Sequence, residues 1–204
     1  MSPVGLFHGK LVHPRRVATL AAHAARLIPQ GACVLDVGTG DGRLAAAIQQ
    51  RRTDLSIDGV DVLIRADTTI PVTAFDGRVI PLPNRSRDVV TLFDVLHHAA
   101  EPAQLLAEAT RVARQCIVLK DHMCSGPMAH LILRFMDEVG NRRHGVALPY
   151  RYWNQHQWSE AIDGLRLRRE VWDVGGLGLY PPPFNLVFGD HLHVLARLGV
   201  PEYS

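Results

Sequence analysis

The chain has 204 residues, 47% of them apolar and 21% charged, with a formal net charge of +2. That suits one domain whose core needs no disulfide support, and charge so near balance gives no basis for a nucleic-acid or membrane partner. An odd set of cysteines (Cys33, Cys116, Cys124), two of them inside apolar runs, points to a reducing, cytoplasmic setting.

From Pro14 to Ile28, Val17, Leu20, Ala24, Leu27 and Ile28 recur at helical spacing, and Pro29 with Gly31 ends the helix. The N-terminal stretch "MSPVGLFHGK" lacks the apolar core of a signal peptide, and no later run is long and apolar enough to span a bilayer. A strand follows over Cys33–Val37, then a helix from about Gly42 to Arg52. "LSIDGVDV" reads as a second strand ending near Asp61, "IPVTAF" as a short third and "DVVTLF" as a buried fourth. Glu101 and Pro102 open a helix with Leu105, Leu106, Ala109 and Val112 on one face, and "CIVLK" is strand five. Short apolar strands alternating with helices imply a parallel sheet covered on both faces.

After strand five the rhythm changes. Met128–Val139 has helical spacing, and a short helix is expected over Ser159–Asp163. "LRLRREVWDV" and "HLHVLARL" alternate as an antiparallel pair at the sheet edge, with a Gly/Pro-rich loop, "LGLYPPPF", between them. That alternation puts His191 and His193 on one face, but without a third ligand. No Cys-x2-4-Cys pair exists either, so no metal is expected.

The stretch "CVLDVGTGDGRLA" carries the strongest signal. No Lys-Ser or Lys-Thr follows its glycines, which excludes a P-loop. The third glycine, Gly42, falls one residue early for a dinucleotide fingerprint. What remains is Asp36, Gly38, Gly40 and Gly42 at a strand-to-helix turn. Asp61 closes the second strand, where an acid can accept from both ribose hydroxyls. "AFDGRVIPLPNRSRDVV" and "DVLHHAAEP" follow in order.

Together these segments resemble the class I S-adenosylmethionine-dependent methyltransferases, and within them the group acting on small molecules. The resemblance implies a single α/β domain over 1–204: a doubly wound, mostly parallel seven-stranded sheet with an antiparallel last strand. It implies S-adenosylmethionine as cofactor, held by Asp36, Gly38, Thr39, Gly40, Gly42, Asp61, Val62, Asp76, Gly77 and Phe93, with Asp76 at the adenine amino group. It departs from the pattern between Asp61 and Ile70, where relatives place a helix and "LIRADTTI" is short and polar, and at Asn84, where an aromatic usually stands.

In such a sheet the chemistry sits at the carboxyl ends of the strands. His97 and His98 are the first candidates for a general base, followed by Asp94 and His122. Asp94 has two other readings, as a helix cap or as a holder of the methionine amine. Residues 1–30 are expected to form an N-terminal helix and lid, and 123–153 an acceptor cap with His122, Tyr150 and Trp153 toward the substrate. The expected acceptor is a small, moderately apolar molecule. The competing readings are an RNA or protein methyltransferase, disfavoured by the lack of a strong basic patch and of an Asn/Asp-Pro-Pro-aromatic motif, and a non-catalytic protein that binds the same cofactor.

Overall fold

The computed structural model describes residues 13–141, 148–180, 182, 185 and 188–202. The expected lid therefore lies outside the described residues over 1–12, the expected cap over 142–147, and the "LGLYPPPF" loop at 181, 183 and 184.

Helix α1 (His13–Leu27) leads into β1 (Cys33–Val37), α2 (Arg43–Arg51), β2 (Ser56–Asp61), β3 (Val72–Ala74) and β4 (Arg87–Phe93). A 3-10 turn (Leu96–His98), α3 (Pro102–Val112), β5 (Ala113–His122), α4 (Ala129–Asn141) and α5 (Gln155–Gly164) follow. Strand β6 (Arg168–Val174), a 3-10 turn (Asp190–Leu192) and β7 (His193–Gly199) complete the elements among the described residues.

The seven strands form one sheet in the order β3-β2-β1-β4-β5-β7-β6. The first five pair in parallel, and β7 runs antiparallel to both β5 and β6. Order reverses between β1 and β4, so their carboxyl ends frame the crevice where ligands of open α/β sheets bind.

Two apolar layers sandwich the sheet. On one face Leu35, Leu92, Ile117 and Leu119 pack against Leu105, Leu106, Ala109 and Val112 of α3 and Trp158 of α5. On the other, Val34, Val118 and Leu195 pack against Leu20, Ala24 and Ile48 of α1 and α2. Each of these larger side chains contributes about 1.5–3 kcal/mol on leaving water. A third, smaller cluster of Ala129, Leu133, Tyr152 and Leu192 seats α4 over the strand ends.

Three details differ from the sequence reading, and a fourth agrees with it. Strand β5 runs to His122, because its neighbour β7 extends the ladder past Lys120. Helix α5 starts at Gln155, because Asn154 and Gln157 form a reciprocal capping box. His191 and His193 do not share a face: the strand begins only at His193, which is buried, while His191 is exposed on the preceding turn. Between β2 and β3 there is no helix, as "LIRADTTI" foreshadows. At the far edge the β6–β7 ladder slips register between Arg169 and Val171, a bulge in an outermost strand.

Candidate active site

The turn after β1 is built almost wholly of backbone. Gly38, Gly40 and Gly42 all adopt left-handed φ, at 69°, 63° and 76°. The three glycines answer to different neighbours. A Cβ on Gly38 would come within 2.6 Å of Val95, and one on Gly42 within 2.9 Å of Thr69 and Ile70. A Cβ on Gly40 would meet only the end of Arg65, at 3.7 Å. Two of the glycines thus let other parts of the fold close on the loop, and Gly40 alone of the three has room for a side chain. Gly59 on β2 serves similarly, since a Cβ there would lie 2.7 Å from Thr39; an isolated glycine in a strand is the signal that could have flagged it.

Asp36 lies beneath this loop. It is buried, and its two oxygens accept the hydroxyls of Thr39 and Thr91, each at 2.6 Å. Burial pushes its carboxyl up to about 6, against the pull of the two hydroxyls. Asp61 ends β2 and joins the loop directly: Gly40 N–H donates to its Oδ2 at 2.7 Å and Leu63 N–H to its Oδ1 at 2.9 Å. Each oxygen retains a second lone pair.

Farther along the same edge, Val62 is exposed and Gly77 lies against it. Asp76 caps its own turn by accepting from Arg78 and Val79, and these amides hold its carboxyl below the usual range. Phe93 is buried in the sheet–helix layer.

Beyond β1 the edge is built of charged side chains. Asp94 follows β4 with φ 58°, a strained conformation for a non-glycine residue. It pairs with Arg16 of α1 at 2.5 Å and with Lys120 of β5. Burial opposes its charge, but Arg16 and Lys120 outweigh burial and hold it ionised. Lys120 is fully buried, and burial lowers its affinity for the proton against the pull of Asp94. A cleft of about 140 Å³ opens between these residues and the glycine loop, lined by Arg16, Val17 and Leu20 of α1, Thr39, Asp41, Arg43, Leu44 and Asp94.

The predicted catalytic and substrate residues separate into two groups. His97 and His122 are buried under α4 with Asp121 and Asp137. Burial disfavours the His97 cation, yet Asp121 and Asp137 raise its pKa to about 10. A ring held in that state has no lone pair to take a proton. Burial, then the His97 charge, lower His122 to about 4. His98 is the half-buried member of the pair. Tyr150 and Trp153 do not meet the cleft residues: Tyr150 donates to Glu138 of α4, and Trp153 packs edge-on against Trp158 at 4.8 Å. Buried Lys120 and Asp121, and Arg16 on α1, are charged residues to which sequence reasoning gave no role. An Asp inside an otherwise apolar strand end was the available signal.

A family model described as a methyltransferase domain matches residues 12–175. The chain belongs to this methyltransferase family. The sequence resemblance implies S-adenosylmethionine as its cofactor. The dimethylglycine N-methyltransferase of Parasynechococcus marenigrum is 30% identical over 161 residues, covering 72% of this chain and 55% of that protein. The chain thus spans about half the length of this curated relative.

Among solved structures, a chain of the complex between the Haloferax volcanii Trm112 methyltransferase activator and its methyltransferase superposes with a TM-score of 0.69. It is 16% identical, with 99% of each chain covered. A SAM-dependent methyltransferase from Aquifex aeolicus gives 0.63 at 15% identity, with 97% of this chain and 98% of that one covered. At such identities the likeness is one of fold. The methyltransferase sheet order and its antiparallel β7 agree with it.

The loop of this methyltransferase suits that cofactor. Backbone at Gly40 is approached only by the end of Arg65, Asp61 offers lone pairs beside it, and the cleft is lined by charges of both signs, Arg16 and Arg43 with Asp41 and Asp94.

Proposed function

We infer that the protein transfers a methyl group from S-adenosylmethionine to a small organic acceptor, and that the acceptor atom is an amine nitrogen. The observation that supports this most directly is the cleft between the glycine loop, α1 and Asp94. Arg16 and Asp94 present opposite charges matched to the zwitterionic amino-acid end of the donor. Asp61 takes the ribose hydroxyls, and Asp76 stands on the same edge for the adenine. Asp36 acts one layer below, fixing Thr39 and hence the loop.

The bound donor supplies a methyl already activated on a sulfonium. The protein's own part is proximity and alignment, which are worth up to about 7–11 kcal/mol in favourable cases. An amine that reaches the cleft uncharged needs no strong base. This fits an edge whose His97 is committed to Asp121 and whose Asp94 is held ionised. The acceptor cap over 123–153 acts through α4, with Tyr150 shaping its end rather than touching the reacting atoms. Residues 13–27 form the described part of the lid over the cleft, and three free thiols fit a cytoplasmic setting. Among the described residues, no helix is long and apolar enough to cross a membrane.

The nitrogen assignment draws on the dimethylglycine N-methyltransferase relative. Its test is transfer of a labelled methyl group to a panel of small amines, dimethylglycine among them, beside small phenols and thiols. Label on an amine is the expected outcome. Label on a phenol or thiol sinks the nitrogen assignment, and label on RNA or protein sinks the small-molecule reading. Tight donor binding with no acceptor labelled favours a non-catalytic binder.

A further inference from the structure

A second polar cluster lies under α4. His97 is 2% exposed, and its Nδ1 faces Asp121 Oδ1 at 2.6 Å. Asp121 also accepts from the amides of Leu96, at 2.9 Å, and His122, at 2.7 Å, so it sits here as an acceptor on every side. That arrangement keeps a proton on Nδ1 and aims Nε2 inward, as the carboxylate behind a metal-bound histidine does.

The inward Nε2 makes no hydrogen bond. It faces Asp137 Oδ1 at 3.5 Å, and His122 Nε2 stands 3.7 Å from the same oxygen. The other oxygen of Asp137 is fixed by the Tyr152 hydroxyl at 2.5 Å. Separations of 3.5 and 3.7 Å are long for hydrogen bonds. The 3.5 Å between His97 Nε2 and Asp137 Oδ1 is close to the roughly 3.3 Å that separates two donors sharing one tetrahedral ion with bonds of about 2.0–2.1 Å. His98 adds a third donor. The ligand atoms of His97, His98 and Asp137 all lie within 4.8 Å of one another, and the two imidazole rings are 3.9 Å apart.

We propose that His97, His98 and Asp137 bind one divalent first-row transition ion of the zinc class, with water as the fourth ligand on the half-buried His98 side. Two imidazoles and one carboxylate are the donor set such ions take, whereas magnesium and calcium ask for oxygen alone. Binding displaces any proton on His97 Nε2 to solvent and forms one bond to each of the three side chains. The ion then ties α4, which carries Asp137, to the turn after β4. The site is separate from the donor cleft, so it stands or falls independently of the methyltransferase reading.

The test uses the full chain stripped with a chelator and titrated with zinc, and with cobalt as a coloured probe. One ion per chain is expected, with a cobalt spectrum of low coordination number and a Tm that rises with zinc. His98→Ala should weaken binding by at least about tenfold and abolish the Tm shift, as should Asp137→Asn. His98 is half-buried, so its variant is the one that keeps the fold if Asp137→Asn loosens α4. His191→Ala, an exposed histidine elsewhere, should change nothing. Stoichiometric uptake that is equal in the wild type and His98→Ala overturns the proposal, as does the absence of uptake by the stripped wild type.

Discussion

The two halves of the sheet's carboxyl edge are built from different materials. Around β1 and β2 the edge is backbone: three left-handed glycines, a buried Asp36 that holds them and an Asp61 that clasps Gly40. Around β4 and β5 it is side chain: Asp94 between Arg16 and Lys120, then His97 between Asp121 and Asp137. A backbone surface can be laid down by a short run of sequence, because each residue acts through its own φ and amides. A buried charge cluster needs partners from several elements, because each ion must be neutralised where it lies. The first kind suits a ligand that never varies, the second a site adapted to this chain.

The largest effect expected is on the backbone half. Gly38→Ala puts a methyl into Val95 at a left-handed position, and about 2–5 kcal/mol of stability should be lost in urea denaturation. Gly40→Ala carries the same backbone strain without the clash and should lose only about 1–2 kcal/mol. Equal losses would erase the distinction between a glycine that admits the fold and one that admits a ligand.

Asp36 gives the next effect. Its folded pKa of about 6 lies above its ordinary value, so its contribution to stability is fully present below about pH 4 and is lost as pH rises through about 6. The loss approaches about 3 kcal/mol. In Asp36→Asn the stability–pH curve should flatten across that window. A variant whose curve still falls in parallel with the wild type locates the titration elsewhere.

Asp61→Ala removes charge-assisted acceptors and should weaken S-adenosylmethionine binding by at least about tenfold in calorimetry. Acceptor KM should stay nearly unchanged. An unchanged donor affinity would detach the β2 acid from the ribose.

The smallest effect belongs to the cap. Tyr150→Phe loses the bond to Glu138 and should raise acceptor KM by about twofold, with donor affinity intact. A donor affinity that moves with KM would show that the two halves are coupled.

The same contrast explains what could be read from sequence. Strand β1 was legible to the residue, and α3 nearly so, because an apolar run and a Glu-Pro start are local signals. The glycine loop was legible as a loop, but not the reason for each glycine, since Val95, Thr69 and Ile70 reach it only through the fold. His97 was legible as chemistry, but its tie to Asp121 was not. Its partner Asp121 lies 24 residues on, and Tyr152, which fixes Asp137, lies 15 residues beyond Asp137. No periodicity links such positions.

The sheet's two outermost strands also bear on how the molecule behaves among its own copies. A sheet edge presents unpaired amides and carbonyls that can template a neighbour's strand. Here one edge, β3, is only three residues long. The other, β6, exposes Arg168, Arg169, Glu170 and Asp173 and is bent by its bulge. A second copy would find too little backbone on one side and charge with mismatched register on the other. The sheet is thereby closed to end-to-end growth, which favours staying dispersed at high concentration.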